Sequence, residues 1–323
     1  MTLLKNPVLV VMVPALNEEK TIGKVVKGIP RKVQGAKEVR ILVIDDGSTD
    51  KTKETAEKAG ADRVVRHSDN KGLGVAFRTG INSALEMGAD IIVNIDADGQ
   101  FDSNDIPKLI RPIVDDEAEM VTCTRFGKKE FVPEMPALKK FGNGIFTSLI
   151  NWLTRSKFTD TQCGFRAYSR EAALRMNLFG KFTYTQETFL DLVFKGMRIV
   201  EIPCKVKGER EGKSRMVKNW WSYATRALII IVRSIRDYKP LKFFGSMGVA
   251  SSVFGSVLLI WLFLRWLDTG QTFPFTSLIL VSVLFILGGF ILLILALIAD
   301  MNYRQRRIQE EILYEMRKKR FEK

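Results

Sequence analysis

The sequence predicts an α/β domain on a mostly parallel sheet with helices on both faces. Interfacial amphipathic helices and a two-helix transmembrane hairpin follow it. Three observations carry this reading. Short apolar runs alternate with helically spaced segments as far as Thr124. Acidic or glycine-containing turns end the first four of those runs. Two long stretches without a charge, residues 243–264 and 275–299, lie near the C-terminus.

The elements follow in order. Residues 8–13 are continuously apolar, as in a strand covered on both faces. Residues 18–29 have helical spacing, and residues 39–44 repeat the strand pattern. A helix over 51–59 is capped by Ser48 or Asp50. Residues 62–66 form a short strand, 75–87 a helix, 90–95 a fourth strand and 120–124 a fifth. Strands alternating with helices imply βαβ crossovers and a mostly parallel sheet, covered on both faces.

The pattern then changes. Residues 136–155 are amphipathic, and either an interfacial or a core-packing helix satisfies them. Residues 216–238 place Trp220, Trp221 and Tyr223 beside Lys218 and Arg226, which suits a helix lying in a membrane interface. Each uncharged stretch, at 1.5 Å rise per residue, can cross a hydrocarbon core of roughly 30 Å. Residues 268–274 join them, so both outer ends of the hairpin fall on one side. Arg226, Arg233, Arg236, Lys239 and Lys242 precede the first span, and Arg304, Arg306, Arg307 and the basic run 317–320 follow the second. The positive-inside rule then puts the sheet domain and both termini in the cytoplasm. Residues 1–7 are too short for the apolar core of a signal peptide. The expected division is 1–215 for the sheet domain, 216–240 for the juxtamembrane helix, 241–299 for the spans and 300–323 for a basic helical tail. That tail is expected to be solvated or self-associating. Gly288 and Gly289 suggest close helix packing and a homo-oligomer.

The formal net charge is +14. The basic residues cluster around the spans, where anionic headgroups attract them, and no nucleic-acid motif is present; nucleic acid is not an expected partner. Cys123, Cys163 and Cys204 have neither metal nor disulfide spacing and read as packing residues of a reducing compartment. His67, the single histidine, is given no role.

The chemistry gathers at strand ends. Pro14, Ala15, Leu16, Asn17 and Glu18 follow the first strand; residues 45–50 (DDGSTD) follow the second; Asn70 to Gly74 follow the third. Asp96-Ala97-Asp98-Gly99-Gln100 follow the fourth. Ligands of open α/β sheets bind outside the carboxyl ends of the strands. Two carboxylates spaced i, i+2 there are hard oxygen ligands for Mg²⁺ or Mn²⁺ shared with substrate phosphates. G-x-G-x-x-G after the first strand and a P-loop lysine are both missing, so a nucleotide is held in another way.

These four motifs, in this order, resemble family 2 of the inverting nucleotide-sugar glycosyltransferases, with their GT-A fold. Asp160-Thr-Gln-Cys-Gly-Phe-Arg166 and Arg210-Glu-Gly-Lys-Ser-Arg215 resemble later motifs of the dolichol-phosphate mannose synthase and polyprenyl-phosphate glycosyltransferase branch. The resemblance covers residues 8 to about 215, and the hairpin matches the membrane-anchored members. It implies transfer of one hexose from a nucleotide-sugar donor, of GDP-mannose or UDP-glucose type, to a polyprenyl or dolichyl phosphate in the membrane, with inversion.

The resemblance also implies roles by position. Pro14, Ala15, Leu16 and Glu18 would line the nucleoside, with Asp46 on the base. Asp96, Ala97 and Asp98 would face the diphosphate; Asp96, Asp98 and Gln100 would hold Mg²⁺ or Mn²⁺. Arg125, Lys139 and Arg210 would contact phosphate, with Lys213 and Arg215 adding cations. The chain departs from its relatives at Lys139 and Asn143, where arginine and serine are common; lysine is a phosphate partner without arginine's fork. Gln186 and Glu187 would border the sugar or acceptor. Arg166 would be structural or a further phosphate contact.

A lipid monophosphate is already mostly dianionic at neutral pH, its second pKa being about 6, so no protein base is required. Three other readings stay open: a processive polysaccharide synthase, for which a Q-x-x-R-W motif is missing; a transferase for another lipid or a soluble glycan; and a non-catalytic scaffold, which would be expected to lose Asp98 or Arg210.

Overall fold

The computed structural model describes residues 4, 6–127, 137–178, 184–206, 232, 236 and 238–322. The chain divides into two units, Met1–Met216 with Leu313–Lys323, and Val217–Ile312.

The first unit is built on a seven-stranded sheet. Its strands are β1 (Val8–Ala15), β2 (Glu38–Asp45), β3 (Arg63–Arg66), β4 (Ile91–Asn94), β5 (Met120–Thr124), β6 (Arg166–Ser169) and β7 (Ile199–Pro203). They lie in the order β3-β2-β1-β4-β6-β5-β7. β1 pairs in parallel with β2 and β4, β2 with β3, and β5 with β7. β6 alone is antiparallel to both its neighbours, β4 and β5. The helices are α1 (Ile22–Gly28), α2 (Thr52–Lys58), α3 (Leu73–Glu86), α4 (Ile106–Val114), α5 (Ala137–Thr154), α6 (Arg170–Arg175) and α7 (Thr185–Phe194).

Strand alternation sorts the core into two layers. Leu9, Val11, Val13, Ile41, Val43, Ile91 and Val93 face α1 and α4, which contribute Ile22, Val26, Leu109 and Ile110. Met12 and Ile44 face α3. There Gly80 allows close packing, because a Cβ at that position would lie 2.9 Å from Met12 Sδ and 3.3 Å from Ile44, so that Met12 would have to shift. Each fully buried aliphatic side chain stabilises the fold by roughly 1.5–3 kcal/mol relative to exposure. Because β1, β2, β3 and β4 run the same way, the turns after them all fall on one edge of the sheet.

Two strands depart from the pattern read in the sequence. β6 contains a fully buried arginine, Arg166, and no apolar run. β7 is an edge strand, half-buried along most of its length. Neither carries the continuous apolar signal of β1 or β2.

The cysteine reading is corrected. Cys123 and Cys204 form a disulfide with Cα atoms 5.6 Å apart. The pairing follows from topology: Cys123 on β5 lies opposite Ile202 on parallel β7, and Cys204 comes just after that strand. Cys163 is free and buried, and burial pushes its thiol up to about 12.

α5 has two faces. Asn143, Thr147 and Ile150 are buried, while Ile145 and Trp152 are exposed, Trp152 to 67%.

The second unit contains α8 (Pro240–Thr269) and most of α9 (Ser277–Arg320). Pro240 opens α8 at a position where its missing N–H costs nothing. Gly270, at φ +66°, closes α8 in the left-handed conformation and donates its N–H to the Trp266 carbonyl. Both helices contain windows apolar and long enough to cross a membrane, with mean hydropathy 2.1 and 3.2. Those windows are mostly exposed, unlike the core helix of a soluble protein. α8 and α9 approach almost to backbone contact: a Cβ on Gly248 would lie 2.8 Å from the Gly289 carbonyl oxygen. Gly289 thus serves packing within the hairpin, whereas a Cβ on Gly288 would meet open space.

α9 is one helix of 44 residues, about 66 Å at 1.5 Å per residue. The expected second span and the expected tail helix are continuous. From Leu313 onward α9 belongs to the first unit, where Tyr314 and Phe321 are each 7% exposed. These residues of the tail are packed rather than solvated.

Candidate active site

The turns after β1 and β2 are stitched to each other. The Asp46 amide donates to the Ala15 carbonyl at 2.9 Å. Asn17, at φ +52°, donates its N–H to Ser48 Oγ and accepts from the Thr49 amide. The Glu18 amide donates to Thr52 Oγ1 at 2.9 Å. Pro14 and Ala15 are buried, while Leu16 and Glu18 are half-buried.

Asp46 is held by three internal donors. His67 Nδ1 lies 2.7 Å from Oδ1, the Lys71 amide donates to Oδ1 at 3.1 Å, and the Gly72 amide donates to Oδ2 at 2.9 Å. His67 Nε2 lies 3.0 Å from Thr79 Oγ1. The histidine left without a role thus joins β3 and α3 to the residue expected on the base. Asp45 is fully buried; it accepts from the Ser48 amide and pairs with Arg66 at 3.3 Å.

Past β4, Asp96, Asp98 and Gln100 are half-buried and Ala97 is buried. The turn is closed by Gly99 at φ +72° and by the Gln100 amide donating to Asp98 Oδ1 at 3.2 Å. Asp96 reaches toward β6: a Cβ on Gly164 would lie 2.7 Å from Asp96 Oδ2 and 3.1 Å from the Tyr184 hydroxyl. A side chain at position 164 would push the Asp96 carboxylate aside. Asn94 Nδ2 donates to the Gly164 carbonyl and to the Tyr184 hydroxyl, both at 2.8 Å. Tyr184 stacks on Phe77 at 3.9 Å between ring centroids. Burial, then the charge of Asp96, pushes the Tyr184 hydroxyl well above the ordinary tyrosine value, so it stays protonated. Tyr184 was not legible as a site residue, because nothing in the sequence around it marks its approach to Asp96.

Arg125 emerges from β5 and grips Asp160, Nε to Oδ2 at 2.6 Å and Nη2 to Oδ1 at 3.0 Å. Burial acts to lower its pKa, but the hydrogen bond and charge of Asp160 outweigh that and raise it. Asp160 also accepts from the Gln162 amide at 3.1 Å and from Asn143 Nδ2 at 3.4 Å. Glu201 on β7 accepts from the Asp160 and Thr159 amides at 2.9 and 2.8 Å. The cation expected on phosphate therefore has a carboxylate of its own.

Arg166 resolves as structural. It is fully buried and donates to the carbonyls of Cys163, Thr185 and Thr161 at 2.7, 2.8 and 2.9 Å. Gln186, buried, and Glu187, half-buried, sit in the first turn of α7, two and three residues beyond Tyr184 on the chain. The side chain of Lys139, on α5, and all of Arg210, Lys213 and Arg215 lie outside the described residues, as does most of the expected interfacial helix over 216–238.

Comparison with known proteins agrees with this geometry. Residues 10–175 match the profile of glycosyl transferase family 2. An uncharacterized protein of Methanocaldococcus jannaschii is 40% identical over 199 residues, 60% of this chain and 79% of that protein. The UDP-N-acetylglucosamine–dolichyl-phosphate N-acetylglucosaminyltransferase of Methanococcus voltae is 35% identical over 214 residues, 60% of this chain and 83% of that protein. Among solved structures, glucosyl-3-phosphoglycerate synthase from Mycobacterium tuberculosis, crystallised with Mn²⁺, uridine diphosphate and phosphoglyceric acid, superposes with a TM-score of 0.55. It covers 71% of this chain and 78% of its own at 22% identity, a likeness of GT-A-type fold. Four turns converging on one sheet edge, a matching profile over half the chain and relatives of this identity agree: the protein is a glycosyltransferase and belongs to glycosyl transferase family 2.

Proposed function

We propose that the enzyme moves one hexose-type sugar from a nucleotide-sugar to a polyprenyl or dolichyl phosphate, inverting the anomeric carbon. The observation that carries this reading is the union, in one chain, of the acidic turn after β4 with two helices apolar enough to span a bilayer. A water-soluble acceptor would not call for the hairpin. The name of the Methanococcus voltae relative points to the same acceptor class. The exposed Trp152 and Ile145 on α5 give the catalytic unit an apolar face suited to a headgroup region.

In this reading Pro14, Ala15, Leu16 and Glu18 border the nucleoside and Asp46 orients it. Asp96 and Asp98 face the diphosphate. The donor set suits a divalent ion: two carboxylates and the Gln100 amide are hard or neutral oxygen ligands. Among the described residues no three acidic, histidine or cysteine side chains form a self-sufficient metal group. An ion held there draws its remaining ligands from substrate phosphates and water, the habit of Mg²⁺ and Mn²⁺. When bound, it supplies charge neutralisation on the departing diphosphate. Arg125, Lys139, Arg210, Lys213 and Arg215 bring two anions together, and the acceptor phosphate attacks without a protein base. Catalytic unit and termini face the cytoplasm, following the basic flanks of the spans.

The test is incubation of the purified full-length protein with GDP-mannose, UDP-glucose or UDP-N-acetylglucosamine and a polyprenyl phosphate in bilayers. One donor should yield an acid-labile glycosyl-phospholipid. Transfer to soluble sugars alone, or hydrolysis of every donor without a lipid product, would overturn the reading.

A further inference from the structure

The end of the chain makes contacts that an anchor does not need. Arg317, near the end of α9, donates from Nη1 to the Met176 carbonyl at 2.6 Å, to Asn177 Oδ1 at 3.2 Å and to the Leu174 carbonyl at 3.3 Å. These groups lie at the C-terminal end of α6, where the last carbonyls of a helix have no partner within it and a cation is favoured. Lys195 Nζ takes the neighbouring Arg175 carbonyl at 2.6 Å. One turn earlier, Tyr314 donates its hydroxyl to Glu171 at 2.8 Å, and Arg175 stands 3.9 Å over its ring. Arg170 donates to the Phe321 carbonyl and, at 2.8 Å, to the Ala89 carbonyl just before β4.

The segment so held leads back to the site. The Asn177 amide donates at 2.9 Å to Asp191, a carboxylate 2% exposed on α7. Lys195 pairs with the same carboxylate at 2.8 Å. At the other end of α7, Tyr184 caps the helix, accepts from Asn94 and stands against Gly164 beside Asp96. The order of contact is Arg317, Asn177, Asp191, α7, Tyr184, Asp96.

We propose that Arg317 is a positioning residue for the transfer reaction: the tail braces residues 174–178, and through Asp191 fixes the helix that sets Tyr184 beside the acidic turn. This rests on the reading of that turn as the transfer site. The nucleoside end of the site, built from the turns after β1 and β2, lies one step further off, joined to the braced segment through α3, where Arg78 donates to the Leu178 carbonyl at 3.1 Å and Thr79 meets His67. The brace therefore acts on turnover and on the diphosphate end of the donor more than on nucleoside binding.

The experiment uses the full-length protein in bilayers and the variants Arg317→Ala, Arg317→Lys and Tyr314→Phe. Hydrogen exchange is measured first, without substrate. In Arg317→Ala, amides of residues 174–178 and of α7 should exchange about tenfold faster, as the loss of charged hydrogen bonds implies, while those of β1 and β2 should not change. With a donor and polyprenyl phosphate, kcat should then fall by about tenfold with the dissociation constant for uridine or guanosine held within about twofold. Arg317→Lys, keeping the charge but not the planar fork, should recover part of both. If Arg317→Ala does not fold, Tyr314→Phe, which loses one hydroxyl, should show the same exchange pattern at smaller size. Wild-type exchange in residues 174–178 and α7 would overturn the inference without reference to any substrate. So would equal losses of kcat and nucleoside binding. A wild-type protein that transfers to no lipid phosphate would instead sink the function proposed above, leaving the exchange result to decide the brace.

Discussion

Arg125 closes on Asp160 with two guanidinium nitrogens, Nε at 2.6 Å and Nη2 at 3.0 Å. The two partners are unequally placed. The Asp160 side chain is fully buried, whereas that of Arg125 is 21% exposed. Removing one partner of a buried pair strands the other, at a cost of about 3–5 kcal/mol. Arg125→Ala strands a carboxylate that no water reaches. Asp160→Asn strands a guanidinium that can turn outward. Arg125→Ala should therefore destabilise the catalytic unit more than Asp160→Asn does. Denaturant midpoints of the two variants check the order, and a reversed order would show that Asp160 is not the dependent partner.

Glu201 sits under that pair and predicts a pH dependence. Burial raises its pKa above the ordinary 4.5, and the hydrogen bonds from Asp160 and Thr159 only partly offset this. A carboxyl raised in the folded state binds its proton more tightly there than in the unfolded chain. Its contribution to stability is complete below the unfolded value and is lost as pH rises through the folded one. The melting temperature of the wild type minus that of Glu201→Gln should decline as the pH rises above the ordinary carboxylate value of 4.5. A flat difference would remove Glu201 as the cause.

The parts of the fold that were legible before the structure share one cause. β1, β2 and β4 are buried on both faces, so their composition alone announces them. The turns after the first four strands are rich in Asp, Gly and Asn because of chemistry, and that too is local. What was illegible depends on distant pairs. The Cys123–Cys204 bond spans 81 residues and appears only once β5 and β7 are seen side by side. Tyr184 looks like an ordinary core aromatic until Gly164 lets Asp96 approach it. The tail reads as solvated because its charges hide a face of Tyr314, Arg317 and Phe321 that packs on α6.

His67 bears on donor binding. Its ring spans from Asp46 at 2.7 Å to Thr79 at 3.0 Å, and with the ring neutral it donates from Nδ1 and accepts at Nε2. Phenylalanine keeps the volume and removes both bonds. Losing a hydrogen bond to a charged group costs about 1.5–3 kcal/mol, so His67→Phe should weaken UDP or GDP binding by about tenfold or more. The KM for the lipid acceptor should stay put. Calorimetric titration with the free nucleotide decides it; an unchanged constant would mean that Asp46 needs no help from the ring.

The disulfide makes a direct chemical prediction. Denatured protein treated with iodoacetamide before reduction should take up one label, on Cys163, and after reduction three. Cys123→Ser with Cys204→Ser should lower stability by about 2–4 kcal/mol, since the closed loop is long. Three labels on unreduced protein would show that the thiols lie paired but unbonded.

Asp98 tests the metal. Its Oδ1 already accepts from the Gln100 amide, so the carboxylate is held in place by the turn it belongs to, with Gly99 in a left-handed conformation behind it. Asparagine is nearly the same shape, and its Oδ1 can keep that hydrogen bond. Asp98→Asn should thus leave the turn and the melting temperature almost unaltered. What changes is charge: one hard anionic ligand becomes a neutral one, and a divalent ion shared with phosphates is bound chiefly by charge. Transfer should fall by at least about a hundredfold, as for the loss of a group that neutralises developing charge. Raising Mn²⁺ should restore more than raising Mg²⁺, because Mn²⁺ stands higher in intrinsic affinity for neutral oxygen and nitrogen donors. Titration calorimetry of the metal with UDP present gives a reading apart from turnover, and the variant should need more metal to reach half-saturation. Transfer by the wild type that is unaffected by exhaustive chelation would overturn the metal role, and Asp98 would then act on the diphosphate only through the shape of its turn.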